Sequence, residues 1–357
     1  MLRKLRLLLL PFAGLYGLIV EVIKLSYKLG WRISRRTEVA SIVVGNLSTG
    51  GTGKTPHVEY VIGHLGPYHK VAVLSRGYGR KTRGFRLVNA KDSAEAVGDE
   101  PLQICLKYPE IPIAVCEKRV DGMNRILKLK PETQMLIFDD AMQHWPVRAD
   151  YYIMLTTYRD PFFNDYPLPA GNLREFRFNY KRANMLIVSK CPSTLSDAEA
   201  REFLQKLSPQ KQQKVFFSYF KYGSPYIYGE KDQTIPLEQL ESREVLLISG
   251  VANPEIIETD LRSRGANVQL LRYADHHQFR QSDWINILQK WQQLKSKSEN
   301  CLLLTTEKDA TRLAGFLDAS IPLYVLPVEV EISFNQAPAL QRALVEVMYK
   351  KKGYPTT

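Results

Sequence analysis

Hydrophobic positions follow two different patterns along this chain. From 7 to 20 runs an uncharged stretch of fourteen residues, interrupted by Pro11, Gly14 and Gly17. It is shorter than the roughly 20 apolar residues of a spanning helix. Beyond it Val22, Ile23, Leu25, Leu29 and Ile33 recur near the helical period, with Lys24, Lys28 and Arg32 on the other side. The pattern predicts an N-terminal helix, within a unit 1–37, that lies in or dips into a lipid headgroup layer with its basic residues toward the phosphates. No small-residue cleavage site follows, as a signal peptide would require; a buried core helix is the alternative.

After this the pattern changes to short β-branched runs with helical stretches between them. Strands are expected at 39–44, 71–74, 111–115, 135–138, 152–155 and 186–188, then at 215–219, 245–248, 268–271, 302–305 and 323–326. Near-continuous apolar strands alternating with helices indicate parallel sheets covered on both faces. The polar stretch 193–214 reads as a surface helix leading to a boundary. The expected organisation is therefore two α/β domains, 38–214 and 215–357. A length of 357 residues, 45% of them hydrophobic and 24% charged, accommodates both.

Charge sharpens the first part of this reading. Residues 1–36 hold eight basic side chains (Arg3, Lys4, Arg6, Lys24, Lys28, Arg32, Arg35 and Arg36) against Glu21, so +7 of the net +12 sits there. Basic residues flanking an apolar segment favour anionic lipid, whereas a nucleic-acid reader spreads them over a folded surface. The four cysteines, Cys105, Cys116, Cys191 and Cys301, form no CxxC pair, which argues against a zinc ribbon or a disulfide framework.

Candidate chemistry begins after the first strand, at Ser48-Thr49-Gly50-Gly51-Thr52-Gly53-Lys54-Thr55. Gly53-Lys54-Thr55 between a strand and a helix is the working half of a Walker A loop. Its glycines let backbone N–H groups wrap phosphate, Lys54 is placed for the β- and γ-phosphates, and Thr55 for Mg²⁺. Ser48 stands where the first glycine of the strict pattern belongs, and a glycine-rich turn without catalytic meaning is the bland alternative. Thr49 occupies the signature lysine position of partitioning ATPases, which counts against that family. Asp139-Asp140, ending the strand expected at 135–138, has the form of a Walker B element for the same metal. No NKxD motif is present, so ATP is preferred over GTP.

Taken together, the motifs resemble the tetraacyldisaccharide 4'-kinase family of lipid A biosynthesis. Val44–Pro56 matches its phosphate loop, Ser75–Arg80 its SRGYG segment, Gly98–Pro101 its GDEP and Asp139–His144 its DDGFQH, with Ala141-Met142 in place of Gly-Phe. Leu168–Glu175 matches LPxGxLRE, Ala274–His277 the DH motif, and Thr306–Asp309 the T-x-KD segment. The resemblance implies a P-loop NTPase-like fold of two α/β/α domains with a membrane-associated N-terminal helix. It implies transfer of the γ-phosphate of ATP, with Mg²⁺, to the 4'-hydroxyl of a tetraacyl disaccharide 1-phosphate in the bacterial inner membrane, from the cytoplasmic side. It implies Asp99 and His276 as the pair handling that hydroxyl, and Thr55, Asp139, Asp140 and Glu175 around Mg²⁺. Arg76, Arg119 and Arg174 are candidates for substrate or nucleotide phosphates. Two rivals remain at this level: a soluble P-loop kinase of a small metabolite, and a membrane-associated partitioning ATPase.

Overall fold

Strands that are apolar at every position need cover on both faces, and that requirement organises the chain. The computed structural model describes residues 5–317 and 321–351; Arg3 and Lys4 of the basic flank lie outside them. Among the described residues two large sheets form, of nine and six strands. Seven parallel strands make the middle of the first, in the order Lys214–Tyr222, Met185–Ser189, Tyr151–Thr157, Ala40–Asn46, Met135–Asp139, Val71–Ser75 and Ile113–Val115. Val328–Ile332 and Arg86–Leu87 are its antiparallel edges. Every residue of Ala40–Asn46, Val71–Ser75, Met135–Asp139 and Met185–Ser189 is buried, which is why these strands read as runs and not as alternation.

Five helices position the site: α1 (Leu10–Lys28), α2 (Lys54–Leu65), α3 (Asp99–Lys107), α4 (Glu307–Leu313) and α5 (Ala337–Lys351). On one face of the first sheet Val58, Ile62 and Leu65 of α2 pack with Leu340, Leu344 and Val347 of α5 over Ile42, Val73 and Ile137. On the other, Met123, Ile126, Phe162 and Phe203 cover Val43, Leu74 and Phe138. The second sheet runs Glu230–Thr234, Tyr226–Ile227, Leu323–Leu326, Cys301–Thr306, Glu244–Ser249 and Asn267–Arg272, the last four parallel. Its helices Glu255–Ser263 and Gln281–Lys295 lie in separate cores, one with Ile257 and Leu261, the other with Trp284, Ile287 and Trp291.

All eleven expected strands form, with ends displaced by up to three residues. The expected domain boundary at 215 does not hold. Strand Lys214–Tyr222 pairs with Met185–Ser189 in the first sheet, and Val328–Ile332 returns to pair against it. The second domain is thus an insertion spanning about 223–327, and 328–351 belong to the first. Local periodicity states that a segment is a strand but not which sheet it joins.

The N-terminal helix docks by a narrow face. Ala13 and Gly17 are buried, and a Cβ on Gly17 would come within 2.4 Å of the Phe176 ring. The Tyr16 hydroxyl donates to the Arg174 carbonyl at 3.1 Å. Phe12, Leu15, Leu18, Ile19 and Val22 stay more than half exposed. With the 3₁₀ turn Leu7–Leu9, the helical stretch Leu7–Lys28 is long and apolar enough to cross a membrane by length and composition. One expected feature differs: Lys24 turns inward to Glu21 at 2.8 Å and to Asn179, not outward with the basic face. Buried Asn179 and half-buried Glu21 offer its ammonium better partners than solvent does.

The reassigned C-terminal helix makes a testable prediction. Leu344→Ala should destabilise the nucleotide-side domain by about 2–5 kcal/mol, the usual cost of emptying a buried leucine site. Hydrogen exchange should then rise in Ala40–Asn46 and not in Glu244–Ser249; faster exchange in Glu244–Ser249 alone would return α5 to the second domain.

Candidate active site

In an open parallel sheet, ligands gather at the carboxyl ends of the strands where the strand order reverses. Here those ends belong to Ala40–Asn46 and Met135–Asp139, neighbours in the sheet, which deliver the phosphate loop and the two aspartates to one place. They line a cleft of about 1040 Å³ between the two domains.

The loop from Thr49 to Thr55 forms one wall. Gly50 and Gly53 have φ of +117° and +83°, a conformation only glycine adopts at little cost. A Cβ on Gly53 would also strike the Phe220 ring at 2.6 Å. The segment Leu168–Glu175 braces the loop from outside. Thr49 donates both its N–H and its hydroxyl to the Asn172 carbonyl, Ser48 bridges Leu173, and the Arg174 N–H donates to the Leu47 carbonyl. Ser48 and Thr49 therefore fix the loop against this segment. The departure at Ala141-Met142 is absorbed by packing: both are buried, and the Met142 side chain lies where a Cβ on Gly45 would be.

Charges are arranged in layers. Lys54 lies 3.6 Å from Asp140, which also accepts from Arg174 at 2.9 and 3.0 Å. Burial works against ionisation of Asp140, but Lys54 and then Arg174 hold its pKa below the usual aspartate value. Asp139 is different. Its Oδ2 accepts from Ser75 at 2.9 Å, its Oδ1 is buried without a partner, and burial, Glu100 and Asp140 push it up to about 7. Arg119, almost wholly buried, donates to the carbonyls of Cys116 and Asp139, and burial lowers it to about 10. Arg76, Arg119 and Arg174 all line the cleft. Glu175 does not: fully buried, it accepts from Arg182 at 2.7 Å and from Gln143 at 2.7 Å, behind the loop.

Opposite the loop the two domains touch. Asp99 begins α3, where the helix N-terminus favours a negative charge. Gly98, at φ +96°, brings that start close against the Gly77 backbone of the SRGYG segment. Asp99 Oδ2 lies 3.0 Å from Nδ1 of His276, which belongs to the second domain and holds a left-handed φ of +57°. Lys308 of α4 lies 3.0 Å from the other ring nitrogen, Nε2. An ammonium only donates, so Nε2 accepts and Nδ1–H is left to donate to Asp99. Arg312, also of α4, is 3.7 Å from Asp99. Burial alone would raise the pKa of Asp99; the His276 hydrogen bond and the charges of Lys308 and Arg312 lower it below the usual value. The Tyr78 ring packs edge-on against the His276 ring, with centroids 5.7 Å apart. His277 turns away to Asp283 at 2.9 Å.

Sequence reasoning missed Ser75, Lys308, Arg312, Gln143 and Glu100 as site residues. Ser75, Glu100, Gln143 and Lys308 lay within matched motifs and Arg312 just beyond one, and only three-dimensional proximity brings them to the site. Asp309 of the same motif is structural, accepting from the Gly250 N–H and from the Thr306 hydroxyl.

Comparison with known proteins agrees with this geometry. A family model described as tetraacyldisaccharide-1-P 4'-kinase matches residues 5–349. A tetraacyldisaccharide 4'-kinase of Flavobacterium psychrophilum is 40% identical over 327 residues, covering 91% of this chain and 92% of that protein. One from Bacteroides thetaiotaomicron is 37% identical over 350 residues, covering 94% and 92%. Among solved structures, the "apo" form of LpxK from Aquifex aeolicus in complex with ATP superposes with a TM-score of 0.75 at 27% identity, covering 98% of this chain and all of that one. The P-loop fold, the cleft and these relatives agree: the chain belongs to the tetraacyldisaccharide-1-phosphate 4'-kinase family and is a kinase.

Proposed function

We propose that the cleft holds ATP on the phosphate loop and passes its γ-phosphate to the 4'-hydroxyl of a membrane-embedded tetraacyl disaccharide 1-phosphate, with Asp99 as base and His276 orienting it. The observation that carries this reading is the 3.0 Å contact of Asp99 with His276 across the domain gap, where His276 lines the cleft that also contains Lys54. Phosphoryl transfer asks chiefly for positioning and charge neutralisation, so a carboxylate of modest basicity suffices to take the hydroxyl proton as the bond to phosphorus forms. The Nδ1–H of His276 fixes one carboxylate oxygen, and the proton released by the acceptor goes to Asp99. Lys54 and the loop N–H groups lie where the β- and γ-phosphates would sit, and Arg76, Arg119 and Arg174 offer cations along the rest of the cleft.

Mg²⁺ fits the residues present. Asp139 Oδ1 is a buried, unpartnered carboxylate oxygen beside Asp140, and Thr55 lines the same wall. Among the described residues no cluster of three or more acidic, His or Cys side chains forms a protein cage, which suits a cation that takes most ligands from phosphate and water. Asp139, Asp140 and Thr55 would hold it, and Glu175 would act behind them through Gln143 and Arg182. When bound, the ion neutralises charge developing on the phosphate oxygens.

The exposed apolar face of α1 supports attachment to the bacterial inner membrane, with the catalytic domains on its cytoplasmic side. Tyr16, Val20 and Ile23 of that helix line the cleft, so a lipid substrate would meet the active site along the anchor. A partitioning switch would have no use for a base facing an acceptor, and a kinase of a soluble metabolite none for an apolar cleft wall.

The direct test is transfer from labelled ATP to a lipid A disaccharide precursor. Wild-type protein should phosphorylate the lipid, and Lys54→Ala should abolish transfer without unfolding the chain; near-normal turnover by that variant would contradict the phosphate-loop assignment. Deleting residues 1–30 should release the protein from anionic vesicles. Residual binding of the full chain through its basic flanks should weaken with salt, since such attraction is screened within about 10 Å at 0.1 M ionic strength. Continued sedimentation of the truncated protein with vesicles would place the anchor elsewhere.

A further inference from the structure

Three of the helices that build the cleft meet on one ammonium. Lys107, the last residue of α3, donates to Glu59 of α2 at 2.8 Å and lies 3.0 Å from Glu307, the first residue of α4. It also donates to the Val328 carbonyl at 3.2 Å, where the chain re-enters the first domain. The Val328 N–H donates in turn to Glu307 at 3.2 Å, and Gln103 donates to Glu59 at 2.8 Å. The Glu59 and Glu307 side chains are only 4% and 5% exposed. Burial, then the charge of Glu307, push Glu59 up to about 7 against the pull of Lys107. No step of phosphate transfer uses any of these groups.

We propose that Lys107 is a positioning residue for phosphate transfer, holding α2, α3 and α4 in the register at which Lys54, Asp99 and His276 face one another. The inference rests on the phosphoryl-transfer reading of the cleft. Each helix carries both a working group and a tie to Lys107, at opposite ends of α3 and close together on α2 and α4. Lys54 begins α2 and Glu59 follows on it; Asp99 begins α3 and Lys107 ends it; Glu307 begins α4, and the next residue, Lys308, touches His276. Helix α3 has nine residues, a length of about 13 Å at 1.5 Å per residue. A helix held at one end and released at the other is free to swing, and roughly 5° over that length displaces the far end by about 1 Å. A misplacement of that size costs on the order of 10²-fold in rate. The tie to Val328 adds the covalent crossover itself to the same clamp.

Two buried carboxylates sharing a lysine would also contribute to stability, so the test must separate folding from positioning. Lys107→Met leaves both carboxylates buried without a cation and should lower both the melting temperature and kcat. The neutral triple variant Lys107→Met/Glu59→Gln/Glu307→Gln removes the stranded charges together with the tie. Lys107→Arg keeps a cation and should recover most of kcat. Rates are read well below every melting midpoint, with labelled ATP and the lipid disaccharide 1-phosphate. The triple variant should recover stability to within a few degrees of wild type while kcat stays about 10- to 100-fold down and the KM for ATP moves less than about threefold. Recovery of kcat along with stability would overturn the proposal, as would an unchanged kcat in Lys107→Met. Transfer by the wild-type protein in the same assay reports separately on the functional reading.

Discussion

A carboxylate buried at the junction of two domains needs positive partners, and Asp99 draws its own from across the gap. Its helix lies in the nucleotide-side domain, while His276, Lys308 and Arg312 all come from the inserted domain. Removing one partner of a buried pair costs about 3–5 kcal/mol, because the other charge is left without compensation. The two domains are therefore joined by more than the chain crossings near 223 and 328. The same contacts that close the seam set the Asp99–His276 pair, so the fold and the proposed chemistry rest on one set of interactions.

That arrangement also explains the protonation of the centre. Lys308 occupies Nε2 of His276, which leaves Nδ1–H for Asp99 and keeps Asp99 ionised at neutral pH. Asp139, with one oxygen bare, is pushed the other way by burial and by Glu100 and Asp140, against the pull of Ser75 and Lys54. The two aspartates are thus shifted in opposite directions by their surroundings, Asp99 downward and Asp139 upward.

Much of this was legible in the sequence for physical reasons. Strands buried on both faces must be apolar throughout, so their runs stood out. Gly53-Lys54-Thr55 needs a strand before it and a helix after it, and both were visible. What local pattern cannot carry is long-range pairing. Lys214–Tyr222 looks like any other strand until Val328–Ile332 returns to it, and so the domain boundary was misplaced. Glu175 reads as an acid beside a motif arginine, yet Arg182 and Gln143 hold it behind the loop. Lys24 follows the basic periodicity of the anchor, yet Glu21 and Asn179 draw it inward. Lys308 stood in a matched motif, but its contact with His276 spans 32 residues and has no local signature.

The central claim is that Asp99 and His276 act as one unit on the acceptor hydroxyl, and a double-mutant cycle on kcat tests it most directly. Loss of a general base typically lowers the rate by about 10² to 10⁴. Asp99→Ala and His276→Ala should each fall in kcat, the first by roughly that range, with ATP affinity held within a few-fold. Groups that work together are non-additive, so the double variant should be little slower than the slower single one. Losses that multiply, or a His276→Ala enzyme with wild-type kcat, would contradict the account.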